Sequence, residues 1–161
     1  MLLRHCLRCK PTTSNFRLWS SGTLFTTSQN ALVKVISSDD TTTVLSVSLD
    51  EPAVEKLGDP TEVSTARPGH TLTPGSALAS VSWEAYRRGE SDELYHAQWA
   101  NVTGTLRLQL PFSVRVLRQH NFAAHDLLNT QEMRPWILDV EVATKDWKDS
   151  LVQGALRLLA Q

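Results

Sequence analysis

The chain has 161 residues, of which 41% are hydrophobic and 20% are charged, and its formal net charge is −1. These values are ordinary for a globular domain, so they exclude a wholly disordered chain, a collagen and a coiled coil. No apolar run approaches the ~18 residues that a membrane-spanning helix needs. The net charge also argues against non-specific nucleic-acid binding by the chain as a whole.

The N-terminal segment differs from the rest of the chain in its charge. Of the 16 basic residues, five lie in residues 1–38, which hold no acid, and the other eleven share residues 39–161 with all 17 acids. The first 30 residues are also rich in Ser and Thr. This composition is typical of a mitochondrial transit peptide. We therefore predict a transit peptide over residues 1–30, a domain over residues 31–161, and a location in the mitochondrial matrix.

The sequence offers weak signals for chemistry. Both cysteines, Cys6 and Cys9, lie in the predicted transit peptide, and a single C-x-x-C pair without further ligands is a poor metal or redox motif. None of the five histidines has a partner at metal-ligand spacing, and no Ser or Cys lies in a nucleophile elbow. We expect no catalytic residue, no metal and no cofactor, and hence no enzyme.

From residue 31 the sequence is typical of short strands separated by turns. Alternating and β-branched residues predict strands over 32–36 and 41–49, and then a short helix that is capped by Asp50 and ends at Gly58. Further strands are predicted from Val63, over 77–86, within about 94–110, over 112–117 and over 136–142, with a helical turn at 123–128. Apolar spacing predicts a final helix over 147–159. The fold class is mainly β, a small barrel or sandwich with flanking helices.

Five segments occur in the order and spacing of one known family. They are the helix end Leu57-Gly58-Asp59, the turn Gly69-His70-Thr71-Leu72, the stretch 111–121, the turn Leu127-Leu128-Asn129 and the strand entry Trp136-Ile137-Leu138. Together they resemble the glycine cleavage system H protein over residues 32–158. The resemblance implies a barrel-sandwich hybrid, the fold of lipoyl and biotinyl carrier domains, with short helices and a C-terminal α-helix.

The hairpin that carries the cofactor in this family is altered here. In the family a hairpin lysine receives lipoic acid through an amide, and the matching stretch Ala79-Ser80-Val81-Ser82 places Ser82 at that position. No lysine lies between Lys56 and Lys145, and a hydroxyl cannot form this amide. An insertion of about twenty residues also enlarges the hairpin, which spans about 77–110. The cofactor expected of the family is therefore not expected in this chain.

The resemblance with these departures implies a non-lipoylated, non-catalytic interaction subunit of a mitochondrial assembly, whether metabolic, respiratory or ribosomal. Aromatic residues flanked by charges are typical of interfaces, so we expect the enlarged hairpin to contact the partner. The expected contact residues are Trp83, Tyr86, Arg87, Arg88, Glu90, Tyr95 and Trp99. Two alternatives remain open: a working H protein that is lipoylated at Lys56 or Lys145, and a regulator of lipoate metabolism.

Three arginines suggest a second surface. Arg107 and Arg115 share parity along the chain, so Arg107, Arg115 and Arg118 are expected to line one sheet face. A basic stripe of this size suits a protein partner or an RNA contact, although a solvated face is the commoner outcome.

Overall fold

A computed structural model describes residues 22–88 and 99–159. Within these ranges the strands are β1 (Leu24–Thr27), β2 (Ala31–Ser38), β3 (Thr42–Leu49), β4 (Asp59–Thr65), β5 (Thr71–Leu72), β6 (Ala77–Arg88), β7 (Trp99–Gln109), β8 (Val114–Gln119), β9 (Leu138–Ala143) and β10 (Leu156–Leu158). The helices are α1 (Glu51–Lys56) and α2 (Thr144–Val152), and a 3-10 helix spans Ala124–Leu128. None of these helices is long and apolar enough to cross a membrane.

The strands form two antiparallel sheets that share one core. The large sheet has the order β10-β1-β2-β3-β9-β8-β5, and the small sheet has the order β4-β6-β7. Fully buried Val33, Leu45 and Val140 of the large sheet belong to the same apolar cluster as Val81 and Leu108 of the small sheet. The prediction of a mainly β domain is confirmed.

Helix α1 forms where the sequence predicts it. The Asp50 carboxylate accepts a hydrogen bond from the backbone N–H of Ala53 at 2.9 Å, which satisfies one of the free donors of the first turn. Pro52 occupies the first turn, where a missing N–H has no cost, and Ala53 is fully buried. Burial raises the pKa of Asp50 by more than the hydrogen bond from Ala53 lowers it.

The folded part of the chain begins before residue 31, the boundary that the composition predicts. Strand β1 pairs with β2 through Phe25 and Val33, and on its other side it pairs with β10 through Phe25 and Leu158. Phe25 is only 2% exposed and packs edge-on against Trp147, with 5.1 Å between the ring centroids. Residues 24–27 therefore belong to the domain, and the N-terminal boundary of the domain moves accordingly.

The helix predicted over 147–159 is wrong in both of its bounds. Helix α2 ends at Val152, and Gly154 then adopts φ +78°, a left-handed conformation that terminates helices and favours glycine. The chain continues as β10, in which Leu156 is 5% exposed and pairs with Thr27. Val152, placed on the predicted apolar face, is 87% exposed. Apolar spacing alone could not reveal that the edge of β1 was available for pairing.

A buried arginine holds the segment that follows the 3-10 helix. The Arg134 side chain is 1% exposed, and it donates to the backbone carbonyls of Leu127 at 3.2 Å, Leu49 at 2.9 Å and Asn129 at 3.1 Å. It also pairs with the half-exposed carboxylate of Glu51 at 2.5 Å. A charged group can be buried because its donors are satisfied in this way. Arg134 thus joins β3, α1 and the 3-10 helix.

Candidate interaction site

The enlarged hairpin is a long ribbon of β6 and β7. Strand β4 pairs with β6 only as far as Asp59 opposite Glu84, whereas β6 and β7 continue together from Ala85 opposite Val102 to Arg88 opposite Trp99. This two-stranded part has four residue pairs, which corresponds to about 14 Å of strand. We call it the β6–β7 arm, defined as residues 85–88 and 99–102. An isolated two-stranded ribbon is only marginally stable in water.

Trp83 lies at the base of the arm and is packed within the chain. Its Cα is opposite Pro60 on β4 and opposite Gly104 on β7. A Cβ atom added to Gly104 would lie 2.6 Å from Cε2 of the indole, and one added to Gly58 would lie 3.1 Å from Cζ3. Opposite edges of the six-membered ring therefore lie against two glycines that have no side chain to displace it. Trp83 was expected in the partner contact, and the structure places its ring between Gly58 and Gly104.

The other residues of the expected contact lie on or beyond the arm. The backbones of Tyr86, Arg87 and Arg88 belong to β6, and that of Trp99 begins β7. Glu90 and Tyr95 lie outside the described residues, as does the whole connection 89–98. The structure therefore brings four of the seven residues onto the arm and one to its base.

Ser82 lies inside the small sheet. It is opposite Glu62 of β4 on one side and Thr105 of β7 on the other, and its backbone carbonyl accepts a hydrogen bond from Thr61 Oγ1 at 3.1 Å. Five residues of β6 lie between Ser82 and Arg88. The position that the resemblance assigns to a lipoyl-bearing turn is thus the middle of a central strand.

The outer face of the small sheet is polar around Ser82. Register and exposure place on this face Asp59, Glu62, Ser64, Ser80, Ser82, Glu84, Thr103, Thr105 and Arg107. Three acids against one arginine give this face a negative character. We expect a partner that covers it to carry basic groups.

Both lysines of the alternative hypothesis lie on helices. Lys56 is the last residue of α1, and Lys145 is in the first turn of α2. Neither lies in the connection between two paired strands, which is where the family presents its lipoyl lysine.

The expected arginine stripe does not form. Arg107 lies on β7 of the small sheet, whereas Arg115 and Arg118 lie on β8 of the large sheet. The segment 110–113 carries the chain from the small sheet to the large sheet. The even spacing between Arg107 and Arg115 therefore does not place them on one sheet face. Arg118 also pairs with Asp139 at 2.9 Å, and Arg115 lies 3.5 Å from the carboxylate of Glu141. Acids on β9 therefore pair with both arginines of β8, while the side chains of Arg115 and Arg118 remain more than half exposed.

A polar cluster surrounds Asp139 on β9. Its Oδ1 accepts from Ser46 Oγ at 2.7 Å and from His120 Nε2 at 2.9 Å, and Arg118 pairs with its Oδ2. Burial by itself raises the pKa of Asp139, but the hydrogen bonds from His120 and Ser46 and the charges of His120 and Arg118 outweigh it, so the pKa falls below 3.8. The Ser46 hydroxyl donates a hydrogen bond to Oδ1 of this carboxylate, and His120 bonds the same oxygen. This geometry stabilises an anion and does not activate the hydroxyl as a nucleophile.

His125 and His70 form no such cluster. His125 lies 3.6 Å from Asp59 with both side chains largely exposed, and His70 is exposed in a turn. The described residues include no group of three or more His, Cys, Asp or Glu side chains arranged to hold a metal ion.

The comparisons with known proteins identify no family. No protein-family model matches the chain, and no curated protein matches it significantly. The residues and their geometry are therefore the basis for a functional proposal.

The structure adds two residues that the sequence analysis did not single out. The sequence predicts Gly58 only as the end of a helix and gives Gly104 no role, yet both lie against the ring of Trp83. The available signal was a glycine in the interior of a strand pattern, which often marks a close approach by another group.

Proposed function

We propose that this chain is a non-catalytic, non-lipoylated interaction subunit of a mitochondrial protein assembly, with a barrel-sandwich hybrid fold like that of the H protein. The matrix location rests on the acid-free, basic and hydroxyl-rich composition of the residues that precede β1. The fold rests on the order of the five segments and on two antiparallel sheets around one core. The subunit role rests on the arm and on the missing amine.

The observation that carries the proposal is the position of the hairpin connection. The β6–β7 register leaves residues 89–98 as the connection between the strands, and this stretch, Gly-Glu-Ser-Asp-Glu-Leu-Tyr-His-Ala-Gln, contains no lysine. The absence of an attachment amine therefore does not depend on aligning Ser82 with the family's lysine. Any residue of the connection fails the same chemical requirement, because only a primary amine forms the lipoyl amide.

The arm supports an interaction role in a second way. Its four residue pairs have no third strand among the described residues, and it bears Arg87, Arg88, Tyr86 and Trp99. Aromatic and arginine residues are the types enriched at the centres of interfaces. Contact with a partner protein would supply the stabilisation that two strands alone lack.

Two measurements on the protein purified from mitochondria test the proposal. We expect its intact mass to correspond to the unmodified processed chain, and affinity purification to recover stoichiometric companion proteins. A lipoyl mass increment on any lysine, Lys56 and Lys145 included, would contradict the absence of the cofactor. Recovery of the chain without companions, or its absence from mitochondria, would contradict the subunit role.

A shortened variant tests the arm itself. Replacing residues 86–101 by Asn-Gly joins Ala85 to Val102, which face each other in the register as a hydrogen-bonded pair, through a turn that suits two-residue hairpins. Because β4 pairs with β6 only up to Glu84, the three-stranded part is retained. We expect this variant to fold and to lose its companions. The matched control Ser80→Ala with Ser82→Ala keeps the arm and should retain them; equal recovery of companions by both variants would refute a contact through the arm.

A further inference from the structure

The outer edge of β7 differs from the other sheet edges. No strand pairs with it among the described residues, and it is 11 residues long. The edges of the large sheet are short, with three residues in β10 and two in β5. The other edge of the small sheet, β4, carries Asp59, Pro60 and Glu62 and has an irregular register between the last two.

Natural sheets protect their edges by short strands, prolines, charges and bulges, because an open edge is a template for another strand. Three edges of this protein have such protection. In contrast, residues 99–105 of β7 read Trp-Ala-Asn-Val-Thr-Gly-Thr, with no charge and no proline. A long and uncharged edge is suited to pairing.

The direction of the β7 backbone groups can be inferred from two hydrogen bonds. The carbonyl of Arg107 accepts from Asn30 Nδ2 at 3.2 Å, so it points away from β6. The carbonyl of Ser82 accepts a hydrogen bond from Thr61 Oγ1 and therefore points towards β4. Ser82 and its β7 partner Thr105 are thus a non-hydrogen-bonded pair, and the backbone N–H and C=O of Thr105 point away from β6. Because the direction alternates along a strand and the register is regular here, Thr103 also directs its N–H and C=O outward.

We propose that β7 pairs antiparallel with β7 of a second copy of this chain, about a two-fold axis at Val102. In this register Thr103 lies opposite Asn101 of the second copy and Thr105 lies opposite its Trp99, and each of these positions directs its backbone groups outward. The two Val102 residues form a non-hydrogen-bonded pair, the kind in which side chains approach most closely, and β-branched pairs favour sheets.

The composition of the edge favours a second copy as the occupant. Within the paired segment 99–105 no charge meets a like charge, since Arg107 and the acids of β4 lie outside it. Asn30 covers the edge only at Arg107, beyond the paired segment. The pairing also joins the arms of two copies into a four-stranded ribbon, which removes the marginal stability of two strands.

This inference goes beyond the proposed function and is tested without any other protein. Sedimentation of the purified full chain under reducing conditions, which prevents disulfides through Cys6 and Cys9, should give a monomer–dimer equilibrium that depends on protein concentration. A chain that stays monomeric, including one that pairs at this edge only with another protein, would overturn the proposal. Failure here leaves the mass and capture experiments above unaffected.

Two further measurements locate the interface. Thr103→Pro removes an outward N–H on both sides of the axis, a change that an edge strand tolerates, and should weaken the dimer about tenfold or more. The matched variant Thr103→Val keeps the N–H and should leave the dimer within about threefold of the native affinity. Equal weakening by both variants contradicts backbone pairing.

Amide hydrogen exchange needs no variant. The N–H groups of Thr103 and Thr105 should exchange slowly in the dimer and rapidly on dilution, whereas those of Val81 and Leu106 in the sheet interior should not change. A dimer in which Thr103 and Thr105 exchange rapidly would place the interface elsewhere and refute the assignment.

Discussion

Gly104→Ala tests whether the base of the arm is held by the ring of Trp83. The new Cβ would lie 2.6 Å from Cε2 of the indole, well inside van der Waals contact. The ring cannot slide away along its plane, because Gly58 lies against the opposite edge, where a Cβ would be 3.1 Å from Cζ3. Overpacking of this kind costs about 1–3 kcal/mol, and the removal of a flexible strand glycine offsets roughly 0.5–1 kcal/mol of it. We expect a net loss of about 1–2 kcal/mol in the free energy of unfolding.

A double-mutant cycle isolates the contact. In a Trp83→Leu background the shorter side chain does not reach Gly104, so Gly104→Ala should be neutral or stabilising by up to about 1 kcal/mol. The coupling energy between the two sites should therefore be about 2 kcal/mol. Urea unfolding followed by far-UV circular dichroism measures all four proteins, and unchanged m-values would justify the comparison. Ser82→Ala, on the opposite face of the same sheet, should change stability by less than about 0.5 kcal/mol.

Additive effects of the two substitutions would refute this interpretation of Trp83. They would mean that the indole is not held between the glycines in solution and is available for a partner, as the sequence pattern suggested.

Three further substitutions have expected outcomes in the same unfolding assay. Because the pKa of Asp139 is lowered in the folded state, its ionised form contributes stability above about pH 3.8, and this contribution is lost as the pH falls further. Asp139→Asn should therefore lower the free energy of unfolding by about 2 kcal/mol at pH 7 and by progressively less below about pH 3.8. Arg134→Met leaves buried carbonyls unpaired and should cost about 3 kcal/mol, against less than about 1 kcal/mol for Glu51→Gln at the exposed end of the ion pair. Gly154→Ala forces a side chain to φ +78° and should cost about 1 kcal/mol, whereas its exposed neighbour Gln153→Ala should have little effect. Equal effects within either pair, or an Asp139→Asn penalty independent of pH, would contradict the corresponding reasoning.

The local elements of this fold could be predicted because their signals are local. The alternation in β2 and β3 and the cap Asp50 depend on neighbouring residues, and all three appear at the predicted positions. The element that failed was the C-terminal helix, where apolar spacing continued past Gly154. A three-residue strand such as β10 exists because β1 offers it an edge, and no local pattern encodes that partner.

The hairpin that carries the candidate site was predictable in its position but not in its geometry. The strands predicted over 77–86 and within about 94–110 appear as β6 over 77–88 and β7 over 99–109. The sequence could not tell which sheet each arginine would join. The prediction that Arg107 and Arg115 share one face was wrong because the chain changes sheets between them. It also could not place Ser82 relative to the turn, because strand length, rather than composition, decides where a hairpin reverses.

The position of Trp83 explains how an arm can be extended without unfolding the sheet beneath it. The third strand, β4, pairs as far as Glu84, and Trp83 lies one residue before that point, with glycines on β7 and just before β4 that let the indole lie against their backbones. The apolar packing of the small sheet therefore extends to the last position where three strands are present. Beyond it two strands remain among the described residues, and the proposed contacts with a partner protein or a second copy would add to their stability. An open and uncharged strand edge is a template for another strand, so an arm that is braced at its base and open along its β7 edge is compatible with the binding role proposed above.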